Sequence, residues 1–222
     1  MRDALSCHRH CTRMQGDGII ITGHADDDGK LSRNIYIRDC VLTRNYRQGC
    51  SIISASDLLV ENTTFSFTNG TAPMAGVDLE PDRPHQQLTN LTFRNCQYLG
   101  NAGAGFQTIA NALDNRTRPI SVLLDGALMA GNQYGLVAES FHSGLLGDVI
   151  YSSVEVRGTL AYGLVVCNKA IDSLLTVRNV TMRNVALPPQ HWPEPWSACL
   201  LACVLAHPPA CLSACLSYFL CV

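Results

Sequence analysis

Charged residues are scarce in this chain. Asp, Glu, Lys and Arg make up 15% of its 222 residues, and the formal net charge is −2. No stripe of Lys and Arg runs along it, which excludes the electrostatic footprint of a nucleic-acid-binding protein. The opening residues MRDALSCHRHC lack the apolar central run expected of a secretory leader, and the first repeat opens near residue 16. Residues 1–15 are therefore expected to form an N-terminal segment equivalent to a shortened cap. Helical periodicity is absent from the body of the chain. The most apolar stretch, SACLLACVLAHPPACLSACLSYFLCV, is interrupted by His207-Pro208-Pro209 and does not read as a membrane-spanning helix. Convergent metal ligands are also lacking. Cys7, His8, His10 and Cys11 crowd into five residues, where neighbours cannot all reach one ion. The CLLAC and CLSAC pairs have no accompanying histidines.

What the chain does have is a period. A glycine opens a short apolar run at Gly18 (GIIIT), Gly49 (GCSII), Gly76 (GVDLE), Gly105 (GFQTI), Gly135 (GLVAE) and Gly163 (GLVVC), at spacings of 31, 27, 29, 30 and 28 residues. Self-similarity on that scale marks a stacked-repeat architecture. A second register runs between the glycines: Asp39, Asn62, Asn95, Asp125, Gly158 and Asn179. Each follows by two residues an apolar position: Ile37, Val60, Phe93, Leu123, Val156 and Val177. Period-two alternation predicts strands with one buried face. Asx and Gly suit a left-handed bend, and asparagines in register are expected to stack inward as a side-chain ladder. Each repeat should thus hold at least two strands. The distance from Asx to the next glycine is mostly constant, whereas that from glycine to Asx varies widely, so insertions should collect on one edge.

These GΦxΦ openings (Φ, apolar), with the segments VENTTF, FRNCQY and VRNVTM, resemble the right-handed parallel β-helix family of pectate-lyase-like proteins. No tryptophan–aspartate signature or L-x-x-L-x-L frame supports a propeller or leucine-rich repeat instead. The resemblance implies an all-β, right-handed, single-stranded parallel β-helix of about six coils over residues 16–186. Residues 187–222 then form a Pro/Cys-rich apolar tail outside the fold, with a cap or a membrane attachment as the alternatives. The resemblance implies polysaccharide lyases, hydrolases or epimerases, or else non-catalytic tailspike, adhesin and surface proteins. It implies a polysaccharide partner and an extracellular or cell-surface location.

The glycine register also assigns facing. The pairs Ile19/Ile21, Cys50/Ile52, Val77/Leu79, Phe106/Thr108, Leu136/Ala138 and Leu164/Val166 should point inward. Cys40 and Cys96 share a register two coils apart, ~9.6 Å on the ~4.8 Å strand spacing, too far for a disulfide. Of the outward pairs, only Asp78/Glu80 carries two acids. Their backbone separation of ~7 Å falls in the range of an inverting glycosidase pair, one acid protonating the leaving oxygen and the other activating water. Asp78 and Glu80 are the candidate catalytic residues. Asp82, Arg83, Gln107 and Glu139 are candidates for substrate binding, with His85 and His142 nearby in sequence. No cofactor is expected for a hydrolase. In a lyase the same carboxylates could hold Ca²⁺ while Arg83 abstracts the proton. The paired-Asp and Gly-His-Gly motifs of a polygalacturonase are incomplete: Asp26-Asp27-Asp28 lies in a loop, and Ala25 follows Gly23-His24. A non-catalytic binding or structural surface protein is the alternative. Five Asn-x-Thr sequons, at Asn62, Asn69, Asn90, Asn115 and Asn179, fit a secretory history. Asn62 and Asn179 are expected to face inward.

Overall fold

A computed structural model describes residues 3–6, 10–23, 31–140, 144–167, 174–185 and 199–202. Each coil of the chain lays down three strands, one in each of three sheets. The first sheet contains β1 (Asp3–Ser6), β4 (Arg33–Arg38), β7 (Ala55–Glu61), β10 (Leu88–Arg94), β13 (Ile120–Asp125), β16 (Gly147–Ser152) and β19 (Leu175–Arg178). The second contains β2 (His10–Thr12), β5 (Val41–Thr43), β8 (Thr64–Ser66), β11 (Gln97–Leu99), β14 (Leu128–Ala130), β17 (Glu155–Arg157) and β20 (Thr181–Arg183). The third holds the glycine openings: β3 (Ile19–Ile21), β6 (Cys50–Ile52), β9 (Val77–Leu79), β12 (Ala104–Ile109), β15 (Tyr134–Glu139) and β18 (Tyr162–Cys167), followed by β21 (Cys199–Ala202). All neighbours pair in parallel except β21, which runs antiparallel to β18. The result is a parallel β-solenoid of about six turns. Strands β1 and β2 extend two sheets into the segment expected to be a cap, and β21 comes from the expected tail.

Two columns of left-handed residues turn the chain. The first is Asp39, Asn62, Asn95, Gly126, Ser153 and Asn179; the second is Arg13, Arg44, Phe67, Gly100, Gly131, Gly158 and Asn184. Two assignments made from the sequence are corrected here. Asp125 pairs with Arg94, so Gly126 rather than Asp125 takes the first bend. Gly158 belongs to the second bend, and Ser153 is its counterpart in the first. Coil six misleads because Val154 and Val156 repeat, next to and in the second sheet, the alternation that Val149 and Tyr151 make in the first.

The asparagine ladder exists, but in another column. Asn62 and Asn179 are exposed, because a left-handed corner throws its side chain outward. The buried ladder follows the second bend, with Asn45, Asn101 and Asn132 at 0–1% exposure. Asn132 Oδ1 accepts from the Asn101 backbone N–H (3.0 Å) and from Asn101 Nδ2 (2.9 Å), while Asn132 Nδ2 donates to the Tyr98 carbonyl (2.9 Å). Asn101 Nδ2 also donates to the Phe65 carbonyl (3.2 Å), so Asn132→Ala should leave chiefly the Asn101 backbone N–H without its acceptor inside the solenoid and cost about 1–3 kcal/mol. A urea midpoint within error of wild type would refute that role.

The glycines of the third sheet are fixed by crowding, since none of the six has a positive φ. A Cβ on Gly76 would lie 2.6 Å from the Gly105 carbonyl oxygen, and one on Gly18 would lie 2.7 Å from that of Gly49. The side chains after these glycines fill the core as their alternation predicts, and Phe106 packs edge-on against Phe93 (centroids 4.9 Å) and Tyr98 (5.8 Å). Cys40 and Cys96 are buried. Most inserted residues lie between the third sheet and the first, where residues 80–87 and 110–119 bulge, against only Ile53 and Ser54 in coil two; a further insertion, residues 67–76, lies between the second sheet and the third in coil three.

Candidate functional site: a buried carboxyl beneath an ion pair

Strand alternation turns Val77 and Leu79 into the core and Asp78 outward. Parallel pairing then lines up Ser51, Asp78 and Gln107 along the outer face of the third sheet. A side chain there would ordinarily be solvated, yet Asp78 is 1% exposed. Its neighbours cover it. Gln48, one coil back, accepts from the Ala75 backbone N–H through Oε1 (2.8 Å), which leaves its Nε2 to donate to Asp78 Oδ2 (2.5 Å). Gln107, one coil forward, donates to Asp78 Oδ1 (2.8 Å).

Glu80 is the accessible member of the pair, its side chain 41% exposed. Arg47 bridges outward from it. Nη2 lies 3.9 Å from Glu80 Oε2, and Nη1 lies 3.3 Å from Asp17 Oδ2, which also accepts from Ser51 Oγ (2.8 Å). Burial pushes the Asp78 carboxyl up to about 7. The Gln107 donor opposes that rise, the charge of Glu80 adds to it, and Arg47 opposes it. The two acids thus form a dyad, one member sealed and one facing water.

The backbone spacing is ~7 Å, but Asp78 has both carboxyl oxygens engaged and is sealed from solvent, so only Glu80 is open to a water or a substrate. Of the other candidates, Gln107 is directed at Asp78. Glu139, half-buried two coils along, accepts from Asn111 Nδ2 (3.0 Å). Asp82 and Arg83 stand exposed on the turn after Pro81, their backbone N–H groups both held by Gln86 Oε1. His142 and the HADDDGK loop from His24 lie outside the described residues. Sequence reasoning passed over Arg47 and Gln48, although both precede Gly49 and so sit on the same ruler.

A Ca²⁺ ion does not fit this arrangement. Among the described residues no three Asp, Glu, His or Cys side chains group as a metal site. The Arg47 guanidinium already stands between Asp17 and Glu80. Further along the same face the character changes: Tyr134 and Tyr162 stack (6.1 Å, 15°) and Val137 and Val165 join them. Cys167, at the end of β18, is disulfide-bonded.

A family model described as right handed beta helix region matches residues 8–121, just over half of the chain. No curated protein matches it. Among solved structures, similarity is found to tailspike protein gp49 from Acinetobacter baumannii bacteriophage Fri1, a capsular polysaccharide depolymerase. The identity is 13% and the TM-score 0.37, over 78% of this chain and 38% of the other. The chain therefore spans well under half of that tailspike's length. With three parallel sheets wound coil upon coil and a family match that covers most of them, the chain belongs to the right-handed β-helix family.

Proposed function

We propose that this β-helix acts on an extracellular polysaccharide, with Glu80 meeting the substrate and Asp78 holding the dyad's proton near neutral pH. The observation that carries this reading is a carboxyl buried on the outer face of the sheet and held by Gln48 and Gln107, two residues from an accessible one; its burial pushes it up to about 7. A general acid works best when its pKa lies near the working pH. Ordinary carboxyls on a strand face would be fully ionised there.

Between the two chemistries open to the site, hydrolysis is better supported than β-elimination. A protonated dyad can deliver a proton to a departing glycosidic oxygen. β-Elimination needs a base and a cation on the uronate carboxylate, and the calcium ligand set is not present among the described residues. Arg47, already engaged with two carboxylates, would orient Glu80. Gln48 and Gln107 would fix the direction of the Asp78 oxygens.

The test is turnover of polyuronide and neutral glycans, followed both as new reducing ends and as unsaturated products. Glu80→Gln should abolish formation of reducing ends while the circular dichroism spectrum is kept. The wild-type rate should fall as the pH rises through about 7, when the dyad loses its proton. Undiminished turnover in Glu80→Gln would remove this site, and unsaturated products would reverse the choice of chemistry. A second reading, a non-catalytic glycan-binding surface, rests on Asp78 having both oxygens already engaged and 1% exposure. It predicts binding without turnover in the wild-type protein.

A further inference from the structure

The sequons are not absorbed by the acid dyad, and their surroundings differ. All five asparagines are exposed. Asn62 and Asn179 occupy the first bend, followed by buried Thr63 and Val180, with Thr64 and Thr181 already in strands. Asn90 lies in β10 and donates to Asp57 Oδ1 (2.7 Å), and Leu91 after it is buried. Asn115 precedes a buried Thr117 whose hydroxyl donates to the Pro84 carbonyl. In Asn69-Gly70-Thr71 alone are all three residues exposed.

Two exposed rings belong to the same stretch of surface, Phe67 two residues before Asn69 in the chain and Tyr46 against Gly70. Phe67 is 52% exposed, because its left-handed backbone (φ 55°) turns it out of the solenoid. Its ring leans on Gly100, where a Cβ would come within 2.7 Å of it, and the Arg44 guanidinium carbon is 5.9 Å from its centroid. Tyr46, 51% exposed, lies against Gly70. The loop is held down by backbone bonds from Asn69 N to the Asn45 carbonyl (3.1 Å) and from Thr71 N to the Tyr46 carbonyl (2.9 Å). A ring left half in water can be covered by a partner with an apolar face and a polar rim. The C–H face of a pyranose has that character.

We propose that Asn69 is an N-glycan acceptor whose first sugar packs on Phe67. In the transfer, Asn69 Nδ2 bonds to the anomeric carbon of a lipid-diphosphate oligosaccharide. The bond from that carbon to the phosphate oxygen breaks, the lipid diphosphate leaves with the electron pair, and one amide proton passes to a base of the transferase. The proposal does not depend on the dyad being catalytic.

The full chain, carried into the secretory pathway of a eukaryotic cell by a cleavable leader, tests it. Glycopeptides would be mapped on the whole secretory pool, so that folding yield does not decide the reading. Asn69 should be occupied, and Thr71→Ala should remove one glycan from the intact mass. Phe67→Ala should lower occupancy at Asn69, and Phe67→Tyr should restore it. Enzymatic removal of the glycan should lower the melting temperature of the wild-type protein but not of Phe67→Ala. An unmodified Asn69 overturns the site. Occupancy and melting shift unchanged in Phe67→Ala overturn the packing on the ring.

Discussion

Asp78→Asn should abolish most of the dependence of stability on pH between about 4 and 8. In the folded protein the Asp78 carboxyl titrates at about 7, against 3.8 without the fold. The native state therefore binds the extra proton across this window. The contribution is fully present below 3.8 and is lost as the pH rises through about 7. The raised value corresponds to a loss on the order of 4 kcal/mol between the two ends. Asparagine keeps the shape and never ionises. At the acid end it should be the weaker side chain, because it offers one acceptor oxygen where Gln48 and Gln107 supply two donors. At the alkaline end it escapes burying a charge beside Glu80 and should match or exceed wild type. The quantity to measure is the difference in melting temperature between the two proteins as a function of pH, which cancels the titration of every other group. Parallel curves would show that Asp78 is ionised throughout.

Gly76→Ala should be strongly damaging, at about 3 kcal/mol. The added methyl meets the Gly105 carbonyl of the next coil, the Asn101 amide and the Tyr98 ring. The first of these is backbone locked in the sheet, so relief would require two coils to part. Gly163→Ala puts the same methyl against the Met182 sulfur, a flexible partner that can move, and should cost less. Gly16→Ala has nothing within 4 Å and should be close to neutral. Chemical denaturation of the three variants would check the order. A Gly76→Ala protein as stable as Gly16→Ala would mean that the coils are not in such close contact.

The solenoid was legible because its repeat is written twice, in the glycines and in the apolar positions. The inward pairs after Gly49, Gly76, Gly105 and Gly135 all lie in the core. The bends were less legible. Asx and Gly serve interchangeably at both corners, so Asp125 and Gly158 were placed one residue and one corner away from their true columns. The buried ladder of Asn45, Asn101 and Asn132 was hidden for a related reason. Thr68 interrupts it in coil three, while the exposed asparagines of the first bend form the more regular series. At the site, alternation told which way Asp78 points. It could not tell that glutamines from the coils on either side close over it, since that depends on side-chain reach along the axis.

The column geometry has a consequence for how such a chain can change length. Every lateral bond joins equivalent positions of successive coils, so Leu136 faces Leu164 as Phe106 faces Leu136. Growth or loss is thus quantised: a duplication or excision stays in phase only when it spans one whole turn. Extra residues survive singly in the loops between sheets, where the turns already differ in size, chiefly between the third sheet and the first. The dyad draws its partners from one turn below and one above. Three consecutive turns are its minimal inheritance, and the copy number of the rest is free to drift.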